Sequence, residues 1–69
     1  MEIKWIDCFK IKTTAANGEV VISANREGLL SLANQLTALA EGVPGEHIHY
    51  DEHNALEEGS VEMIIEIIR

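Results

Sequence analysis

The chain lacks three things that usually settle what a small protein does. It has one cysteine, Cys8, in 69 residues, so no disulfide can form within it. A lone thiol fits a reducing cytoplasm better than a cross-linked secreted scaffold. No apolar run approaches the roughly 20 residues that span a bilayer. The opening MEIKWIDCFK alternates charge and hydrophobe, with none of the continuous apolar stretch of a signal peptide. The third shortage is of cations. Five Lys and Arg stand against twelve Asp and Glu, a formal net charge of −7. Between Glu27 and Ile68 there are nine acids and no Lys or Arg, whereas Lys4, Lys10 and Lys12 gather near the start. Such a surface repels nucleic-acid phosphates and anionic membranes, so neither is an expected partner. A basic protein is a suitable one, although acidity also serves solubility alone. A soluble, cytoplasmic protein is expected.

The length allows a single domain over residues 1–69, with one core. Folding at this size hides only about 60% of the surface that the unfolded chain exposes. Ile3, Trp5, Asp7, Phe9 and Ile11 alternate with Lys4, Ile6, Cys8, Lys10 and Lys12, the period of a strand with one buried face. Asn17-Gly18 suits a hairpin turn. Glu19 to Ala24 follows as the second strand, with Val20 and Ile22 on one face and Val21 on the other.

From Asn25 to Gly42 the period changes. Leu29, Leu32, Ala33, Leu36, Leu39 and Ala40 recur at three- and four-residue spacing, one apolar stripe of an amphipathic helix. Ser23 or Asn25 can cap its start, and Glu27 in the first turn suits the helix dipole. Gly28 leaves room for close approach to the sheet. Gly42 is predicted to end the helix in the left-handed conformation, with Pro44 preventing continuation. Glu46 to Asp51 reads as a third strand, with Ile48 and Tyr50 inward and His47, His49 and Asp51 outward. A polar loop over 52–60 precedes a fourth strand over 61–69. There Val61, Met63, Ile65 and Ile67 share one face, and Glu62, Ile64, Glu66 and Ile68 the other.

The predicted fold class is α+β: a two-layer ββαββ domain, a mainly antiparallel four-stranded sheet with the amphipathic helix on one face. Ile6, Cys8, Val21, Ile64 and Ile68 then fall on the back of that sheet, a half-apolar face able to seed a homodimer or receive another protein.

Glu46-His-Ile-His-Tyr-Asp-Glu-His-Asn54 is the stretch richest in chemistry. On a strand, His47 and His49 point the same way about 7 Å apart, and Asp51 is next on that face. Zinc accepts such donors. The spacing is similar to the His-x-His-x-Asp-His cluster of large metallohydrolases, but those enzymes draw further ligands from a much larger fold. Here no histidine lies outside residues 47–53. His47, His49 and Asp51 are therefore weak metal candidates, and no cofactor is expected. Cys8 could pair with a histidine as a nucleophile, but a mid-strand cysteine more often serves as a small core hydrophobe. No phosphate-binding glycine loop occurs. Glu57-Glu58 and Asp51-Glu52 lack the enclosing pocket that shifts paired acids into catalytic range. The expectation is that the protein is not an enzyme and has no catalytic residue. Protonating the three histidines near their ordinary pKa of about 6.5 would also reduce the negative charge, as for any surface histidine.

Several features together carry a family resemblance: the Asn-x-x-Gly-Leu helix start at Asn25–Leu29, the Leu-Ala-x-x-Leu period at Leu32–Leu36, and the His-x-His strand. Leu-Glu-x-Gly-Ser at Leu56–Ser60, before a hydrophobic strand with Glu, completes the pattern. Over about residues 20–68 the chain resembles the immunity protein 32 family. The resemblance implies a bacterial α+β protein encoded beside a polymorphic toxin, which it neutralises by binding. It carries over no catalytic or contact residue. From the residues themselves, the segment Glu46, His47, His49, Asp51, Glu52, His53, Asn54, Glu57 and Glu58 is the expected contact surface for a cognate toxin. A basic nuclease toxin would be attracted to it. The alternatives are a self-associating structural protein and a histidine-cluster metal binder.

Overall fold

Asn17 and Gly18 turn the chain where the sequence places a hairpin, both with positive φ (53° and 77°). The computed structural model describes residues 2–69. Its elements are β1 (Ile11–Ala16), β2 (Glu19–Ala24), α1 (Arg26–Ala40), β3 (His47–Tyr50) and β4 (Met63–Glu66). β1 pairs antiparallel with β2, Ile11 opposite Ala24, and β3 antiparallel with β4, Ile48 opposite Ile65. The ββαββ order and the two antiparallel hairpins agree with the sequence. Among the described residues no helix is long and apolar enough to cross a membrane.

The single four-stranded sheet does not form; the hairpins are two separate two-stranded sheets. What occupies the second edge of β1 explains this. The Glu57 N–H donates to the Ile11 carbonyl (2.8 Å) and the Val61 N–H to that of Thr13 (3.1 Å). The Thr13 N–H donates to Ser60 Oγ (3.2 Å), and its hydroxyl donates to the Val61 carbonyl. The segment leading into β4 thus takes the β1 bonds, partly through side chains, before any regular ladder can begin. Consequently Ile6, Cys8, Val21, Ile64 and Ile68 do not form the back of one sheet. Ile6 is half-buried, and the others are exposed on separate parts of the fold.

The expected first strand is also displaced. Residues 3–10 lie outside any strand, and β1 begins only at Ile11. A turn at Asp7 and Cys8, where Cys8 has φ 69°, interrupts the alternation. The backbone here is satisfied by α1. Gln35 Nε2 donates to the Lys4 carbonyl (2.8 Å), and the Ile6 N–H donates to Ser31 Oγ (2.8 Å). Asn25 Nδ2 donates to the Cys8 carbonyl (2.9 Å), and Asn25 Oδ1 accepts from the Lys10 N–H (2.9 Å). Ascending positions on this segment meet descending positions on the helix, so the two run antiparallel.

That arrangement also rotates the helix from its predicted orientation. Gly28, Ser31, Leu32, Gln35 and Leu39 are buried, while Leu29, Ala33, Leu36 and Ala40 are exposed. Ser31 and Gln35 are drawn inward because the N-terminal backbone needs their polar atoms. Asn25 is the cap, its Oδ1 accepting from the Gly28 N–H (2.8 Å). The C-terminal end closes differently from expectation. The Glu41 N–H donates to the Ala38 carbonyl and the Gly42 N–H to that of Leu39, which keeps the right-handed sense. It is Gly45, at φ 98°, that turns left-handed.

The buried apolar core is Ile11, Leu32, Leu39, Ile48, Tyr50 and Leu56, with Trp5, Phe9, Met63, Ile65 and Ile67 packed around it. Trp5 stacks on Phe9 (centroids 4.4 Å apart) and meets Tyr50 edge-on at 6.2 Å. Gly28 lies at the crossing of helix and hairpin. A Cβ there would sit 2.5 Å from the Lys10 carbonyl oxygen, 3.0 Å from Ile11 Cγ1 and 3.1 Å from Ala24 Cβ. An ordinary helical Gly→Ala change stabilises by up to about 1 kcal/mol. Gly28→Ala should instead destabilise by about 1–3 kcal/mol through overpacking. Urea unfolding of the two proteins measures this, and a gain in stability would refute the close approach.

Candidate functional site

β3 alternates strictly: Ile48 and Tyr50 are buried, His47 and His49 exposed. The outward pair is as the sequence places it, with imidazole centroids 4.8 Å apart and edge-to-face. Across the hairpin His47 faces Glu66 and His49 faces Ile64. His47 Nδ1 lies 2.9 Å from the Gly45 carbonyl. A carbonyl only accepts, so in this contact Nδ1 is the donor.

Asp51 does not join the two histidines. Its Oδ1 accepts from the N–H groups of His53 (2.8 Å) and Asn54 (3.0 Å). Asn54 Oδ1 returns the bond to the Asp51 N–H (2.9 Å), and Asn54 Nδ2 donates to the His49 carbonyl (2.8 Å). Glu52 similarly accepts from the Gly59 N–H (2.8 Å). Asp51, Glu52 and Asn54 thus shape the loop. Glu46 is half-buried, and His47, His49, His53, Glu57 and Glu58 are exposed. Among the described residues no group of three or more His, Cys, Asp or Glu is gathered to hold a metal ion. The Cys8 thiol is exposed.

Residues that the sequence reading left out complete the surroundings. Ile3 and Trp5 come beside His47, Ile48, His49 and Asn54 to line a shallow cleft of about 440 Å³. Leu56 enters the core from the loop, its N–H bonded to the Asp51 carbonyl at 2.8 Å. It is the one large aliphatic residue between Asp51 and Ser60, and that isolation was the available signal. Beneath β3, the Tyr50 hydroxyl donates to Gln35 Oε1 at 2.8 Å, both residues being only 1% exposed. Burial pushes the Tyr50 phenol above its ordinary value.

Compared with known protein families, residues 19–68 match the model of immunity protein 32. The chain belongs to the immunity protein 32 family. The match spans β2, α1, β3, the acidic loop and β4. It begins after β1, so for this family member the buried Ile11 and the stacked Trp5 and Phe9 come from outside the matched region. No curated protein and no solved structure matches the chain.

The Tyr50–Gln35 bond holds β3, and with it the histidine face, against α1. Gln35→Leu should destabilise by about 1–3 kcal/mol by orphaning a buried hydroxyl. The double change Gln35→Leu/Tyr50→Phe should cost less than the sum of the singles. Additive losses in urea unfolding would argue against coupling. A raised phenol pKa also has a pH signature. The fold favours the neutral phenol, so its contribution is fully present below the unfolded value near 10.0 and is lost as pH rises through the folded value. Stability should therefore fall more steeply in the parent than in Tyr50→Phe over about pH 9–11.

Proposed function

We propose that this protein neutralises a cognate toxin by binding it, and that the exposed residues between Glu46 and Glu58 form the contact surface. The observation that carries the reading is the match of residues 19–68 to immunity protein 32. The charge supports it: nine acids and no Lys or Arg lie between Glu27 and Ile68. Among the described residues the one ion pair is Lys4 with Glu2, which leaves these acids available to a basic partner. A nuclease is the toxin class whose active surface such charge would cover, because phosphate-binding sites are cationic. Complementary charge steers encounter and selects partners more than it adds affinity.

The roles within the segment divide on physical grounds. Asp51, Asn54 and Glu52 hold the loop, and His47, His49, His53, Glu57 and Glu58 are presented to the partner. Binding requires no metal and no catalytic residue. Two copies of one chain would not substitute for the toxin here, because like charges repel across an acidic contact.

Co-expression with the toxin encoded beside this gene should restore growth, and the two proteins should co-purify as a complex. The Glu57→Lys/Glu58→Lys double variant should slow association by roughly tenfold or more at low salt, with the difference shrinking as salt rises. Toxicity that continues unabated beside the folded parent protein would remove the reading. Unchanged kinetics in the double variant would move the contact elsewhere.

A further inference from the structure

The outward face of the β3–β4 hairpin gathers four side chains that the acidic loop does not account for. The Ile67 N–H donates to the Glu46 carbonyl (3.0 Å), which fixes the alternation of the ladder. His47 with Glu66 and His49 with Ile64 are therefore its non-hydrogen-bonded pairs. In such pairs the Cα atoms approach to about 4.5 Å and the side chains stand closest. All four side chains leave the sheet on one side, and all four residues are exposed. Ile64 is 58% exposed, whereas its neighbours Met63 and Ile65 pack on the core.

The chemistry of these residues restricts what can sit on them. Ile64 offers apolar surface. The imidazoles offer ring faces, and His47 is held by its bond to the Gly45 carbonyl (2.9 Å). Ionised Glu66 offers only acceptors, and it has no ion-pair partner among the described residues, where Lys4 with Glu2 is the one pair. The complement of this face is a side chain with an apolar stem and a flat cationic head. Arginine has both: its methylenes lie along apolar surface, and its guanidinium stacks on rings and forks onto a carboxylate. A lysine ammonium is compact and strongly hydrated, so it would pair without stacking. Phosphates and acidic peptides would meet the Glu66 charge and be repelled.

We infer that an arginine of the cognate toxin seats across this face, its guanidinium between His47 and Glu66 and its stem over Ile64. The inference rests on the toxin-binding reading above and adds to it a strand outside the segment Glu46–Glu58. His47 and His49 belong to both, so the face is continuous with the proposed contact surface. Apolar surface beside the ion pair keeps water from it, which makes Glu66 a central anchor. The acids of the loop act instead at a distance, on encounter.

Binding kinetics with the toxin encoded beside this gene test the anchor. Glu66→Gln should raise the dissociation rate by about tenfold or more and keep that effect at high salt. This differs from the slowed, salt-sensitive association of Glu57→Lys/Glu58→Lys. Ile64→Ser should also speed dissociation. Both residues are exposed, so urea unfolding of each variant should stay close to the parent. Glu19→Gln, on the other hairpin, should leave dissociation unchanged. Among arginine-to-glutamine variants of the toxin, one should leave Glu66→Gln with little further effect, the coupling expected of a shared contact. A toxin that the folded parent does not bind removes the reading above and this inference together. A complex whose dissociation is indifferent to Glu66→Gln and Ile64→Ser, or that couples Glu66 to no arginine, overturns this inference alone.

Discussion

Asn25 is the residue on which the arrangement turns. Its Oδ1 accepts from the N–H groups of both Gly28 and Lys10, its Nδ2 donates to the Cys8 carbonyl, and its own N–H donates to the Lys10 carbonyl. One side chain therefore starts the helix and fastens the N-terminal segment to it. Capping alone would need only a short oxygen-bearing side chain. The amide carries its acceptor oxygen and its donor nitrogen on separate atoms, so it serves both tasks at once. Gly28, one turn later, lets the Lys10 carbonyl approach closely enough for the fastening to hold.

Local chemistry was legible in the sequence, and the competition between neighbours for backbone bonds was not. The Asn17-Gly18 turn, the inward Ile48 and Tyr50, the outward His47 and His49, and the cap choice of Ser23 or Asn25 all follow from period or turn type. The family could also be read, since its pattern is spread along most of the chain. The four-stranded sheet failed because Ser60 and Val61 claim the free edge of β1, and a loop hydroxyl has no periodicity to announce it. Of the predicted helix stripe only Leu32 and Leu39 are buried, for a related reason. Ser31 and Gln35 look like solvent positions until the backbone of Lys4 and Ile6 is known to lie against them.

The histidine stretch combines these levels. Strand alternation brings two imidazoles together, as the spacing promised. The third donor of the cluster, Asp51, instead closes a loop with Asn54, because an Asp followed by backbone N–H groups two and three residues on can satisfy them locally. What remains outward is a set of short, acidic and imidazole side chains on a firmly bonded loop. Such a surface is organised before any partner arrives, which reduces the ordering that binding must impose.

The N-terminal segment has a further consequence for how the molecule comes together. Its bonds to Ser31 and Gln35 span 25 and 31 residues of chain, whereas the hairpins and helix are built from near neighbours. Closing long loops is slow relative to forming local structure, so this strap settles after the helix and the β1–β2 hairpin, as do the still longer-range bonds of β1 to Glu57 and Val61. The single tryptophan rides on it, stacked on Phe9 and edge-on to Tyr50. Its fluorescence is thus a built-in reporter of strap docking, distinct from the far-ultraviolet signal of α1, and the two can be timed against each other in one refolding experiment.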